Sequence, residues 1–129
     1  MKILLVEDDA DISDLLKEYL CDPKQGTVCE HARTIDDARS KIDSNQYDVI
    51  LLDLMIEGSE SSELIDRARA RYGKDRVVIV LISARMGSKE VAKQKECEFF
   101  MGKPFDLETI DEIIFVKCKK RVDDLTQLR

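Results

Sequence analysis

Four short apolar runs each stop at a polar group, and this repetition constrains the fold more than any other feature of the chain. Ile3-Leu4-Leu5-Val6 stops at Glu7-Asp8-Asp9, Val49-Ile50-Leu51-Leu52 at Asp53, and Val77 to Ile82 at Ser83. A fourth run, Phe99-Phe100-Met101, leads into Gly102-Lys103-Pro104. The central runs are continuously apolar rather than alternating. Strands of that kind are buried on both faces, as in a parallel sheet covered by helices. A chain of 129 residues holds one such domain with a proper core, and not two.

The segments between the runs read as helices. Residues 2–7 predict a strand, and 10–21 a helix with Ile12, Leu15, Leu16, Tyr19 and Leu20 at helical spacing. Pro23 and Gly26 break the chain before a less apolar strand over 27–31, suited to a sheet edge. Thr34 caps a helix bearing Ile35, Ala38 and Ile42; a strand follows over 48–53. Gly58 and Ser59 open a loop into a helix that Gly73 ends just after Tyr72. A strand over 77–82, a weakly anchored helix near 88–95 with only Val91 and Ala92, and a strand over 97–101 come next. Asp106 caps a last helix carrying Leu107, Ile110, Ile113 and Ile114.

Five strand–helix alternations imply right-handed crossovers and an α/β fold, a (βα)5 doubly wound five-stranded parallel sheet. For the strand order 2-1-3-4-5, ligands sit at the carboxyl ends of strands 1 and 3, where the order reverses. Those strands end in Glu7-Asp8 and in Asp53, so topology and chemistry select the same place. Beyond the last helix, Phe115, Cys118, Val122 and Leu125 form a narrow stripe. It fits the start of a coiled coil or linker helix, and equally an ordinary helix end. We take 1–120 as the domain and 121–129 as a C-terminal helix extension or the start of a linker.

Mg²⁺ takes oxygen ligands, commonly one or two carboxylates beside phosphate oxygens. Asp8 and Asp53 fit that need, and Glu7 fits a role in holding a water of the ion or tuning charge. A carboxylate can attack phosphorus and form an acyl phosphate, which makes Asp53 the candidate acceptor. Lys103 supplies a positive charge and Ser83 a hydroxyl donor for the phosphoryl oxygens, since such transfer depends on alignment and neutralisation. Asp9 and Asp11 fit either this acidic cluster or a helix start favoured by the macrodipole.

A net charge of -6 argues against direct binding of nucleic acid backbones. The four cysteines, at 21, 29, 97 and 118, form no C-x-x-C pair and no zinc-like spacing, so they read as reduced thiols. The first apolar run is too short for a signal peptide or a membrane span, which leaves the cytoplasm as the expected compartment. His31, the single histidine, reads as a strand-end residue rather than a metal ligand or phosphodonor.

Taken together, Lys2-Ile-Leu-Leu-Val-Glu-Asp-Asp, Val49-Ile-Leu-Leu-Asp53-Leu-Met, Ile82-Ser83-Ala84-Arg85 and Gly102-Lys103-Pro104-Phe105 resemble, in order, the blocks of a response-regulator receiver domain of two-component signalling. The resemblance covers about residues 1–120 and implies a flavodoxin-like, CheY-like fold. It implies that Asp53 is the phosphoacceptor, and that Glu7, Asp8, Asp53 and the Met55 backbone carbonyl belong to a Mg²⁺ site. It makes Ser83 and Phe100 the switch positions and Lys103 the phosphate-pairing lysine, ahead of a bond to Pro104 that is typically cis in the family. The implied partners are a histidine kinase or phosphotransfer protein, and an output partner or domain at the helix 4–strand 5–helix 5 face. A homodimer is compatible with it. Enzyme activity would be limited to Mg²⁺-dependent self-phosphorylation and autodephosphorylation.

Three positions depart from the family pattern. Glu57 stands where Pro is usual, Ser61 where Gly is common, and Phe100 where Tyr is frequent. The stretch from Ser83 to Lys103 is also short, which predicts a reduced helix 4. These departures keep a phosphorylation-independent interaction module open as the alternative. A haloacid-dehalogenase-like phosphatase would need a second Asp two residues after Asp53, where Met55 stands. No glycine-rich nucleotide loop is present.

Overall fold

Each long apolar run becomes a strand of the computed structural model, which describes residues 1–127. In chain order the strands are β1 (Lys2–Val6), β2 (Val28–Ala32), β3 (Val49–Asp53), β4 (Met55–Ile56), β5 (Ser59–Glu60), β6 (Val78–Ser83) and β7 (Phe99–Gly102). Five of them form one parallel sheet in the order β2-β1-β3-β6-β7. With the small β4–β5 pair set aside, this is the 2-1-3-4-5 order that the alternation of patterns implies. The most apolar runs lie in the middle: every residue of β3 and β6 is buried. The less apolar β2 takes one edge, with Val28 exposed.

The helices are α1 (Ala10–Leu20), α2 (Ile35–Ser44), α3 (Glu63–Tyr72), α4 (Ser88–Gln94) and α5 (Leu107–Ile110). A π-helical stretch, Asp111–Cys118, continues α5 into α6 (Lys119–Gln127). Successive side chains of a strand point to opposite faces, so the sheet builds two cores. Leu4, Val6, Ile50, Leu52, Ile79 and Leu81 pack with Ile42 of α2, Leu64 and Ile65 of α3 and Ala92 of α4. Ile3, Leu5, Leu51, Val78, Val80 and Ile82 pack with Leu16 and Leu20 of α1 and with Ile110, Ile114, Cys118 and Leu125.

Helix starts follow their capping residues. The side chains of Asp9, Thr34 and Asp106 accept from the backbone N–H groups of Ile12, Asp37 and Thr109. Gly73 closes α3 at φ +95°, as the sequence predicts. At seven residues α4 is the shortest of the four helices that connect sheet strands, also as predicted.

The C-terminal segment has its own logic. Ile110, Ile114, Cys118 and Val122 are spaced by four, and in a pure α-helix such a row drifts about 40° per step. The wider π turns correct that drift. The row therefore keeps facing the sheet, with Leu125 buried and Phe115 and Val122 packed alongside.

Two features were not expected from the sequence. A 3₁₀ turn spans Pro23–Gln25, with Asp22 accepting from the Lys24 amide. The loop after β3 is a two-residue hairpin in which Ile56 faces Ser59 and Met55 faces Glu60. Its turn residues Glu57 and Gly58 have φ +50° and +79°, the signature of a type I′ turn.

Candidate phosphoacceptor site

Register brings the polar strand ends together. Asp53 pairs with Ile82, and Ser83 with Gly102, so Asp53, Ser83 and Lys103 follow one another across the sheet. Glu7 comes from the end of β1, tied to β2 by its backbone N–H donating to Ala32 O at 3.1 Å. Glu7 is fully buried and Asp53 only 6% exposed, so their charges matter. Lys103 answers both: its Nζ donates to Asp53 Oδ2 at 2.8 Å and to Glu7 Oε2 at 2.9 Å. The Lys103–Pro104 peptide bond is cis.

Backbone amides fix the remaining carboxylate oxygens. Asp9 N–H donates to Glu7 Oε1 at 3.1 Å, and Met55 N–H to Asp53 Oδ1 at 3.2 Å. Glu57 N–H donates to Asp8 Oδ2 at 2.9 Å, so the hairpin turn reaches back to β1. Ligand oxygens of Glu7, Asp8 and Asp53 lie within 4.8 Å of one another. That hard oxygen donor set fits a divalent cation such as Mg²⁺. Met55 lies two residues beyond Asp53 with its amide turned to that carboxylate.

Burial is the main force on the Glu7 carboxyl and pushes its pKa up to about 7. The Asp53 charge adds to the rise, while Lys103 and the Asp9 amide oppose it. Burial also pulls on the Lys103 ammonium, downward. Its hydrogen bonds and charge contacts with Asp53 and Glu7 outweigh that, and its pKa ends above the ordinary value. A pocket of three carboxylates is thus only partly neutralised by one lysine, which a cation could partly replace.

Ser83 is buried at the end of β6. Phe100, on β7, is half-buried and packs on the core face shared with α4. Both line one open groove with Ser88 and Lys103.

Other residues of the site carried little signal in the sequence. Ser61 stands out only as a departure from Gly, yet it is fully buried and its Oγ donates to Asp53 O at 2.6 Å. The hydroxyl thereby ties the base of the hairpin to the backbone of the acceptor. Ser88, in a weakly patterned helix, contacts Ser83. His31 Nε2 donates to Glu7 O at 2.8 Å, which places the ring beside the acidic strand end as a backbone partner.

A doubly wound parallel sheet with three carboxylates and a lysine at its reversal point fits the receiver class that the sequence resembles. The family model for the response regulator receiver domain matches residues 3–115, and the chain belongs to that family. It is 24% identical over 126 residues to the probable C4-dicarboxylate response regulator DctR of Bacillus subtilis, covering 95% of this chain and 55% of that one. The chain spans about half, or less, of the length of the curated relatives it matches.

Solved structures agree on the fold. A CheY-like receiver domain protein from Methanospirillum hungatei superposes with a TM-score of 0.81 at 21% identity, covering 95% of this chain and 97% of that one. The receiver domain of sensor histidine kinase PA1611 from Pseudomonas aeruginosa, which holds a magnesium ion in its active-site cleft, gives 0.76 at 22% identity with the same coverage. Membership in this family makes the chain a receiver domain of the two-component response-regulator kind. Among the described residues no helix is long and apolar enough to cross a membrane.

Proposed function

We infer that Asp53 is the phosphoacceptor and that its phosphorylation switches the domain. The observation that carries this reading is Lys103 Nζ held between Asp53 and Glu7 at 2.8 and 2.9 Å, beside Asp8, at the sheet's reversal point. One oxygen of Asp53 attacks the phosphorus of a phosphohistidine on a histidine kinase or phosphotransfer protein. The P–N bond breaks, its electron pair stays on the imidazole, and the ring takes up a proton. The acyl phosphate that remains puts new negative charge where Lys103 already points. Lys103 then pairs with phosphoryl oxygens, and Ser83 donates its hydroxyl proton to another.

Glu7, Asp8, Asp53 and the Met55 carbonyl are the groups proposed to hold Mg²⁺. When bound, the ion supplies charge neutralisation at the oxygens around phosphorus. Ser83 moving toward the phosphoryl group opens room for Phe100 to follow, which alters the α4–β7–α5 face read by an output partner or domain. Phe100 brings an apolar ring and no hydroxyl, so a partner reads shape there rather than a phenol hydrogen bond. A cytoplasmic setting and homodimer formation accord with this role.

Acetyl phosphate and Mg²⁺ should give a labile phosphoryl adduct that intact-mass spectrometry detects in the wild-type chain and not in Asp53→Asn. The same adduct persisting in Asp53→Asn would sink the assignment.

A further inference from the structure

Ser88, the first residue of α4, is 2% exposed and sits with its hydroxyl 2.7 Å from the Ser83 hydroxyl. It is also 2.7 Å from Arg85 O. A serine hydroxyl has one proton, and a carbonyl can only accept. The Ser88 proton therefore goes to Arg85 O. The hydrogen bond between the two hydroxyls must then use the Ser83 proton. Arg85 N–H completes the ring by donating to Ser83 Oγ at 3.0 Å. Each of the three donors has one acceptor, and the circuit closes on itself.

We propose that Ser88 is a positioning residue that competes with the phosphoryl group for the single proton of Ser83. This inference rests on the phosphoacceptor reading above and adds to it the group that holds the resting state. Phosphoryl oxygens are acceptors only. Ser83 can bind one solely by turning its proton away from Ser88. Ser88 then keeps its bond to Arg85 O but loses the donor to its own oxygen, in a place water scarcely reaches. That loss opposes switching. It also loosens the link between the end of β6 and the first turn of α4, so the state of Asp53 reaches α4 through two hydroxyls in series.

The chemistry makes Ser88 separable from simple packing. Ser88→Ala removes the competing acceptor while Arg85 O keeps the Ser88 backbone N–H as a donor at 3.3 Å. Ser88→Thr retains the hydroxyl. The test is titration of the 129-residue chain with beryllofluoride, a phosphoryl mimic, in Mg²⁺, followed by amide NMR shifts at Arg85 and α4. Half-conversion should need about fivefold less beryllofluoride in Ser88→Ala, the ratio set by one net hydrogen bond. Ser88→Thr should titrate like the wild type. In a Ser83→Ala background the Ser88→Ala effect should vanish, because the proton being contested is gone. Equal titration of wild type and Ser88→Ala overturns the proposal, as does an effect that survives unchanged without Ser83. A wild-type chain that takes up no beryllofluoride overturns the phosphoacceptor reading itself, and this inference with it.

Discussion

Glu7 is where burial and charge oppose each other most directly. Its carboxyl is fully buried, its pKa rises from 4.5 to about 7, and Lys103 tempers the rise without cancelling it. A folded-state pKa raised above the unfolded value means that the folded chain binds the extra proton. Glu7 therefore contributes stability that is fully present below about pH 4.5 and is lost as pH rises through about 7. The whole effect is on the order of 3 kcal/mol. Divalent cations favour the ionised carboxylate, so Mg²⁺ should offset the loss at the alkaline end. Thermal melts without Mg²⁺ should show the midpoint falling from pH 5 to pH 8 in the wild type and staying nearly flat in Glu7→Gln. Added Mg²⁺ should raise the wild-type midpoint more at pH 8 than at pH 5. Parallel pH slopes for the two proteins would remove Glu7 as the cause. The clustering of Asp8, Asp53 and Lys103 was legible in the sequence because each lies at or just beyond the end of an apolar run, and strand register turns a run's end into a position on one edge. Ser88 was not, since it opens a short helix with few apolar anchors, and a pair of serines five apart carries no chemical signature.

Among the elements, the β4–β5 hairpin is the one that carries Glu57, where the resemblance leads one to expect Pro. Glu57 adopts φ +50°, a left-handed conformation that proline cannot reach, and its N–H donates to Asp8. The departure from Pro at this position is thus a structural requirement of the hairpin. Gly58 at φ +79° supplies the second left-handed residue of the turn. Asparagine tolerates that conformation better than glutamate, and Asn-Gly is the preferred type I′ pair. Glu57→Asn should therefore stabilise the domain by about 0.5–1 kcal/mol. Glu57→Pro should destabilise it by about 2–4 kcal/mol, through an unreachable φ and a lost amide donor to a carboxylate. Urea denaturation of the two variants decides it, and a Glu57→Pro midpoint equal to the wild type would mean that the turn is not held as described. The hairpin left little trace in the sequence because two-residue strands are too short to show alternation. The long strands and capped helices, by contrast, carried enough period and capping chemistry to be read within a few residues.

At the scale of the whole molecule, the question is how far the cooperative unit extends along the C-terminal helix. The sequence left the stripe Phe115, Cys118, Val122 and Leu125 open between a linker and an ordinary helix end, because two heptads carry too little period to decide. In the structure Leu125 is 3% exposed and belongs to the same core as Ile3, Leu5 and Leu16. The π-helical turns of Asp111–Cys118 keep Ile110, Ile114 and Cys118 on that core ahead of it. A side chain packed into the main core unfolds with it, whereas one on an independent extension does not. Leu125→Ala should then lower the stability of the entire domain by about 2–4 kcal/mol, the transfer and cavity loss of a buried leucine. Hydrogen exchange should show the amides of α6 opening with those of β1 and β3. Loss of helical circular dichroism should coincide with exposure of the buried Tyr47. An early helical transition that leaves Tyr47 in place would instead make residues 121–129 an extension, with the cooperative domain ending near 120.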